Sequence, residues 1–374
     1  MVLVGERLDR QTYSVIRTMG EGSTGVCYLA HHEIFGRDVV QKTVSLLGVQ
    51  DALAHSEPRL LNDVTHDHLV KVWEAQWDPD PTWKSLEAIT FVMPYYRGGS
   101  LADVLQDDHR FSLGEAVDIT CCVLDALHYL HVNRGILHRD IKPGNIFLDE
   151  ARGEGFLGDL GSAAPMNQAG ETERRGGTLL YRLPGPGTAP YTTASELYAV
   201  GLCLLEMLNG RFAYESLRFD QVERRLSSGQ WPVAARLLVA EPHVPAALAG
   251  VVDRLIARDP RRRFPDALAA QKALQNVRHM DWRRRDGDPD TQWTGRWPPD
   301  VTPGHARRYE VRRRNVVRGR DTGRVELTAR WRRADTLVWR NFASLTRRSA
   351  AHDDAELRAF FRAVEGAAQP STAR

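Results

Sequence analysis

The stretch that most constrains this chain is His138-Arg139-Asp140-Ile141-Lys142-Pro143-Gly144-Asn145. A carboxylate stands five residues before a carboxamide, with an ammonium between them. Such a trio can take a proton from a hydroxyl, neutralise an anion in transit and offer an amide oxygen to a divalent cation. The flanks read as ordered structure. An apolar helical segment, Ala116 to His131, runs into the octapeptide, and Ile146-Phe147-Leu148 leaves it as a short buried strand. One octapeptide can arise by chance, so its meaning depends on what surrounds it and in what order.

At 374 residues the chain is long enough for two or three domains, and 42% hydrophobic with 26% charged residues is ordinary globular composition. The longest apolar run, Leu197 to Leu208, is interrupted by Glu206 and falls short of the about 20 residues a membrane span needs. The first residues, Met1-Val2-Leu3-Val4-Gly5-Glu6, lack the charged region and apolar core of a signal peptide. Cys27, Cys121, Cys122 and Cys203 have neither framework nor zinc spacing, so they read as reduced thiols of a cytoplasmic chain. His66/His68 and His128/His131 read as structural, because no cysteine or carboxylate cluster joins them in sequence.

Upstream of the octapeptide, Tyr13 to Arg17 alternate as a strand and lead into Gly20-Glu21-Gly22-Ser23-Thr24-Gly25-Val26. Glycines at that spacing let backbone N–H groups approach phosphates. Val26 to Leu29 then continue as a strand, whereas a dinucleotide fingerprint would open a helix. Val39-Val40-Gln41-Lys42 is another strand, ending in one of only five lysines. Glu57 follows on a predicted helix, Ala52 to Val64. Pro58 directly after it removes a helical N–H, so either the helix begins near Glu57 or the local geometry is unusual. Thr90 to Met93 is a further strand leading to Pro94-Tyr95-Tyr96, and Asp159-Leu160-Gly161 and Gly177-Thr178-Leu179-Leu180-Tyr181 come after the octapeptide.

In that order the motifs resemble the protein kinase family, specifically the bacterial, eukaryotic-like serine/threonine kinases, over residues 10 to 279. The resemblance implies an α+β, bilobal fold: an antiparallel N-lobe over residues 1–96 and a mainly helical C-lobe over 97–280. It implies ATP and Mg²⁺, or Mn²⁺, as cofactors and Ser/Thr hydroxyls of proteins as acceptors, autophosphorylation included. Asp140 would be the base and Lys142 would stabilise transferring charge; Asn145 and Asp159 would hold metal. Gly20, Gly22, Gly25, Val26, Lys42, Glu57, Met93, Pro94, Tyr95 and Tyr96 would bind nucleotide. Arg139 would receive an activation-segment phosphate, with Thr172 and Thr178 as regulatory positions. Lys142 resembles serine/threonine rather than tyrosine kinases, and Arg139 is usually lacking in small-molecule kinases of related fold.

Three positions depart from the family pattern. Leu160 replaces a phenylalanine and keeps an apolar plug. Gly185 stands where a glutamate pairs with a late arginine, here Arg263, so Arg263 is expected to be exposed or served by another acid such as Glu215. Glu196 stands for an aspartate that accepts catalytic-loop N–H groups. The last two leave a nucleotide-binding pseudokinase scaffold as the alternative reading.

Beyond Met280 the composition changes. That part has 21 arginines, no lysine and 13 acidic residues, hence +8, in a chain of net charge +2, and it holds five of nine tryptophans. Residues 281–304, with Pro289, Pro298, Pro299 and Pro303, read as a linker. Residues 305–374 read as a separate β-β-β-α module, with strands around Tyr309/Val311, Val325 to Trp331 and Leu337/Trp339. A helix follows, carrying Leu357, Phe360, Phe361 and Val364 on one face. Its arginine-rich faces are of a kind that binds nucleic acid, and equally of a kind that stays solvated or docks on the acidic remainder. Protein substrates, the activating signal and the oligomeric state are not legible.

Overall fold

The computed structural model describes residues 12–22, 25–45, 64–77, 88–174, 177–186, 189–287, 290–298, 307–318, 320–350 and 353–369. Five antiparallel strands form the first sheet: β1 (Tyr13–Gly22), β2 (Gly25–His32), β3 (Arg37–Ser45), β4 (Glu74–Trp77) and β5 (Ala88–Pro94), in the order β1-β2-β3-β5-β4. The central strand β3 is flanked on both sides, which places Lys42 opposite Cys27 on β2 and Phe91 on β5. Gly25 is required by this pairing: a Cβ there would lie 1.9 Å from the Thr43 carbonyl oxygen. Glu57 and its predicted helix lie outside the described residues.

The chain then turns helical. Helix α1 (Leu101–Gln106) starts at a capping box of Ser100 and Asp103, and α2 (Leu113–His128) at one of Ser112 and Glu115. The last turn of α2 widens over Tyr129–Arg134 and stops at Gly135, whose φ of 66° is left-handed. Short pairs follow: β6 (Ile136–Leu137) with β9 (Ala164–Pro165), and β7 (Ile146–Leu148) with β8 (Gly155–Leu157). A third pair is β10 (Glu171–Thr172) with β11 (Tyr191–Thr192). Helix α3 (Thr193–Asn209) is buried all round from Ser195 to Leu208, as its long apolar run, interrupted only by Glu206, requires. Around it lie α4 (Phe219–Ser227), α5 (Ala246–Leu255) and α6 (Ala267–Gln275).

The region after Met280 departs from its sequence reading. Residues 281–304 are not simply a linker: β12 (Asp281–Arg285) and β13 (Asp290–Arg296) occupy most of the described part. They join β14 (Arg307–Asn315), β15 (Arg324–Arg333) and β16 (Arg340–Ala350) in one antiparallel sheet of five strands, not three. The tryptophans carry the strand signal here: Trp282 and Trp293 are buried strand residues. The third expected strand is also displaced, since Leu337 is exposed and β16 begins only at Arg340. Helix α7 (Asp354–Ala368) is capped by Asp353 and buries Leu357, Phe360, Phe361 and Val364.

This sheet is not separated from the helical lobe. One apolar cluster runs from Leu113 and Leu248 through Met280 and Trp282 to Trp293, Phe360 and Phe361. Polar contacts reinforce the seam. The Gly114 N–H donates to Asp281 Oδ1 (2.8 Å), Arg283 pairs with Glu115, Arg284 with Glu241, and Arg358 donates to the Ala240 carbonyl. On β14 and β15, Glu310 is enclosed by Arg312 and Arg330, and on β16 Arg348 pairs with Glu326 and Asp321. Several of the tail's arginines are therefore matched to carboxylates, of the tail itself or, for Arg283 and Arg284, of the helical lobe.

Candidate active site

The octapeptide forms the loop between β6 and β7. Lys142 Nζ donates to Asp140 Oδ2 at 2.6 Å, and Asn145 Nδ2 donates to the Asp140 carbonyl (2.8 Å) and carboxylate (3.1 Å). The backbone N–H and hydroxyl of Thr178 both donate to Asp140 Oδ1, at 2.8 and 3.0 Å. Burial pushes the Asp140 pKa up, but the hydrogen bonds and charge of Lys142, with the Thr178 donors, outweigh it and leave the carboxyl below its usual range. A base so held is ionised near neutral pH.

The loop is fixed from behind. Arg139 has a left-handed backbone, φ 67°, and its N–H donates to Glu196 Oε1 at 2.7 Å. Glu196 is fully buried and its other oxygen meets His131 Nε2 at 2.6 Å. The extra methylene of Glu196 is thus accommodated, and both its oxygens are used. Sequence reading gave His131 no such role, because its partner lies 65 residues away. Glu196→Ala should strand two buried groups at about 1–3 kcal/mol each. A thermal melt should show that loss together with reduced activity; an unchanged melt would remove Glu196 from this role.

Lys42 and Asp159 come together across the two lobes, Nζ to Oδ1 at 2.8 Å. Asp159 has a left-handed backbone, φ 64°. The Gly158 N–H donates to the Asn145 carbonyl (2.9 Å), which ties the backbone next to Asp159 to Asn145, just beyond the paired strands β7 and β8. Met93 and Pro94 pair with Val40 and Val39. Tyr96 packs on Phe156 and Phe147, with ring centroids 4.6 and 5.8 Å away, and burial raises its hydroxyl pKa to about 12. Gly20, Gly22 and Val26 lie on the β1–β2 hairpin, Val26 opposite Glu21.

Arg139 Nε donates to the Ser162 carbonyl (2.6 Å) and a guanidinium nitrogen to that of Glu173 (3.3 Å), so Arg139 holds the segment beside Thr172. Arg139, Arg174 and Arg182 line one pocket with Thr178 and Tyr191. Sequence reading assigned no role to Arg174, which no motif marks, or to Arg182, which stands at an unspecified position of the stretch from Gly177 to Gly185.

Arg263 corrects an expectation. It is neither exposed nor paired with Glu215, which binds Arg211 at 2.7 Å instead. The Arg263 guanidinium is buried and donates to the carbonyls of Ala194, Ala257 and Arg258, at 2.5, 2.8 and 3.2 Å. Its burial lowers its pKa to about 10. Backbone oxygens replace the carboxylate that Gly185 cannot supply.

Residues 13–278 match a family model described as the protein kinase domain. The chain is similar to a probable serine/threonine-protein kinase, WNK10, of Arabidopsis thaliana, 29% identical over 64% of this chain and 49% of the relative. It is similar to serine/threonine-protein kinase PAK 5 of Rattus norvegicus, 30% identical over 66% of this chain and 33% of the relative. It is also similar to serine/threonine-protein kinase PrkC of Bacillus subtilis, 25% identical over 71% of this chain and 40% of the relative. The chain thus spans from about a third to about half of the length of these relatives. Among the described residues no helix is long and apolar enough to cross a membrane.

Proposed function

The chain belongs to the protein kinase family, and from that premise we propose that it transfers the γ-phosphoryl group of ATP, with Mg²⁺, to serine and threonine hydroxyls of proteins. The observation that carries this reading is the environment of Asp140. A carboxylate held ionised by Lys142 and Thr178 is poised to orient and deprotonate an acceptor hydroxyl, with the Lys142 ammonium beside the path of the phosphoryl group.

The donor set fits a hard divalent cation. Asp159 offers a carboxylate, and Asn145, whose Nδ2 is committed to Asp140, has its amide oxygen left for a metal. Bound Mg²⁺ would neutralise the phosphate charge that the protein's own cations do not reach. Lys42 is placed to hold the phosphates, and the β5 end from Met93 to Tyr96 to hold the base. The alternative of a scaffold that binds nucleotide without transfer rests on Gly185 and Glu196; yet Glu196 still accepts from the catalytic loop, backbone carbonyls hold Arg263, and Lys42, Asp140, Lys142, Asn145 and Asp159 are all present. A cytoplasmic location is part of the reading; the four cysteines form no disulfide.

Incubating the full chain with γ-labelled ATP, Mg²⁺ and a generic basic protein tests the acceptor class. Label should appear in phosphoserine or phosphothreonine and require the metal. Label in phosphotyrosine alone, or only in small molecules, would overturn the assignment.

The same geometry separates the two regulatory threonines. The Thr178 hydroxyl lies 3.0 Å from Asp140 Oδ1, where a phosphate would meet a like charge. Thr172 is paired with Tyr191 and is followed by Glu173, whose carbonyl Arg139 holds. Mass spectrometry of active protein should therefore find phosphate at Thr172 and not at Thr178. Thr172→Ala should slow turnover roughly ten- to a hundredfold, the worth of one hydrogen bond to a charged group at about 1.5–3 kcal/mol. A fully active enzyme with no phosphate at Thr172 contradicts this switch.

A further inference from the structure

Three ligand-type side chains meet outside the site described above. His66 and His68 lie on the loop that leads to β4, and Asp125 lies on α2. Asp125 Oδ2 is 3.0 Å from His68 Nδ1 and 3.4 Å from His66 Nε2. All three candidate ligand atoms fall within 4.8 Å of one another, and no other such group of three occurs among the described residues. The two histidines read as structural in sequence because no cysteine or carboxylate cluster joined them. The fold supplies one, 57 residues from His68.

We propose that His66, His68 and Asp125 form a binding site for a first-row divalent transition metal ion, with Zn²⁺ the ion of best fit. Two imidazoles with one carboxylate suit such ions, whereas Mg²⁺ and Ca²⁺ take oxygen ligands. Ligand atoms about 2.0–2.2 Å from a tetrahedral ion stand roughly 3.3 Å apart, and the two measured separations bracket that value. Both rings converge on a single carboxylate oxygen, so one small cation between them would meet all three groups.

The surroundings hold the ligands in place. The His68 carbonyl accepts from the Leu157 N–H and the Val70 N–H donates to the Leu157 carbonyl, both at 2.9 Å. The His66 ring stacks on Tyr129 with centroids 5.0 Å apart. The His68 N–H donates to His66 Nδ1 at 3.2 Å. An ion on Nε2 puts the ring proton on Nδ1, so this long contact is given up for the metal bond. His68 also lines an open groove along α2 with Cys122 and Glu154, which gives an ion its approach and leaves a fourth position open. Leu157 stands two residues before Asp159, so an ion clamping the loop to α2 would stiffen the strand that leads to the phosphotransfer site.

The test is Zn²⁺ binding by the metal-stripped full chain in saturating Mg²⁺, measured by competition with a chromogenic chelator. One Zn²⁺ per chain is expected. Asp125→Asn keeps the side-chain shape and should weaken binding at least about 100-fold, as should the double variant His66→Asn/His68→Asn. Asp159→Asn should leave this ion in place. With Co²⁺ as probe, the visible bands of a tetrahedral site should appear in the unaltered chain and vanish with Asp125→Asn. Equal affinity in all variants would mark scattered surface histidines and overturn the proposal. So would an ion that only Asp159→Asn removes, or no stoichiometric binding.

Discussion

Cutting the chain after Met280 should yield a protein that aggregates or melts far below the intact one. The tail is the wall of a shared core. Trp282 is wholly buried, meets Phe361 edge-on at 5.3 Å and donates from its indole nitrogen to Glu365 Oε1 at 2.9 Å. Trp282→Ala alone should cost about 3–5 kcal/mol, a large part of the about 5–15 kcal/mol that holds most domains folded. Truncation removes Trp282, Trp293, Phe360 and Phe361 together and exposes what they covered. Gly295→Ala should reproduce part of the loss without truncation, because a Cβ there would lie 2.4 Å from the Trp282 ring.

The seam should also weaken in acid. Burial pushes the Glu241 carboxyl up, but His243 and Arg284 outweigh it and hold the pKa below the usual range. A carboxyl lowered by folding contributes stability that is present above its unfolded pKa and lost as pH falls through its folded one. Thermal melts of the full and truncated chains, read beside nucleotide binding, check the account. A truncated chain that melts with the intact protein and binds nucleotide as well would make the tail an independent module, as its prolines suggested.

The active loop was legible because its chemistry is local. Asp140, Lys142 and Asn145 are bonded within five residues of one another, so their order nearly states their geometry. Lys42 and Asp159 stand 117 residues apart, and only the order of motifs between them placed them in one site. The acceptors of Arg263 were illegible for a different reason. A backbone carbonyl belongs to every residue type, so no sequence pattern marks it as the substitute for a missing glutamate. The tail was misread because proline content drew attention to the breaks. Trp282 and Trp293, flanked by polar and arginine residues, carried the strand signal, but five- and seven-residue strands give alternation little room to show. The partnership of Asp125 with His66 and His68 has no sequence signature at all, since it depends on how a loop lies against a helix.

The central claim is that Asp140 serves the acceptor and not the nucleotide. Asn at this position keeps the side-chain shape but loses the negative charge and one of two acceptor oxygens. The donors from Lys142 and Thr178 would then face an amide that cannot take a proton from a hydroxyl. Asp140→Asn should lower the rate of labelled phosphoryl transfer to Ser/Thr by about 10²–10⁴-fold, the usual worth of a positioned general base. Because the residue is assigned to the acceptor, the dissociation constant for ATP with Mg²⁺ should stay within a few-fold of the unaltered chain. The direct measurement is therefore the transfer rate and the nucleotide dissociation constant of Asp140→Asn, taken on the same preparation of the 374-residue chain. A collapsed rate with nucleotide affinity retained is the predicted result; near-normal turnover, or nucleotide binding lost in step with the rate, would contradict it.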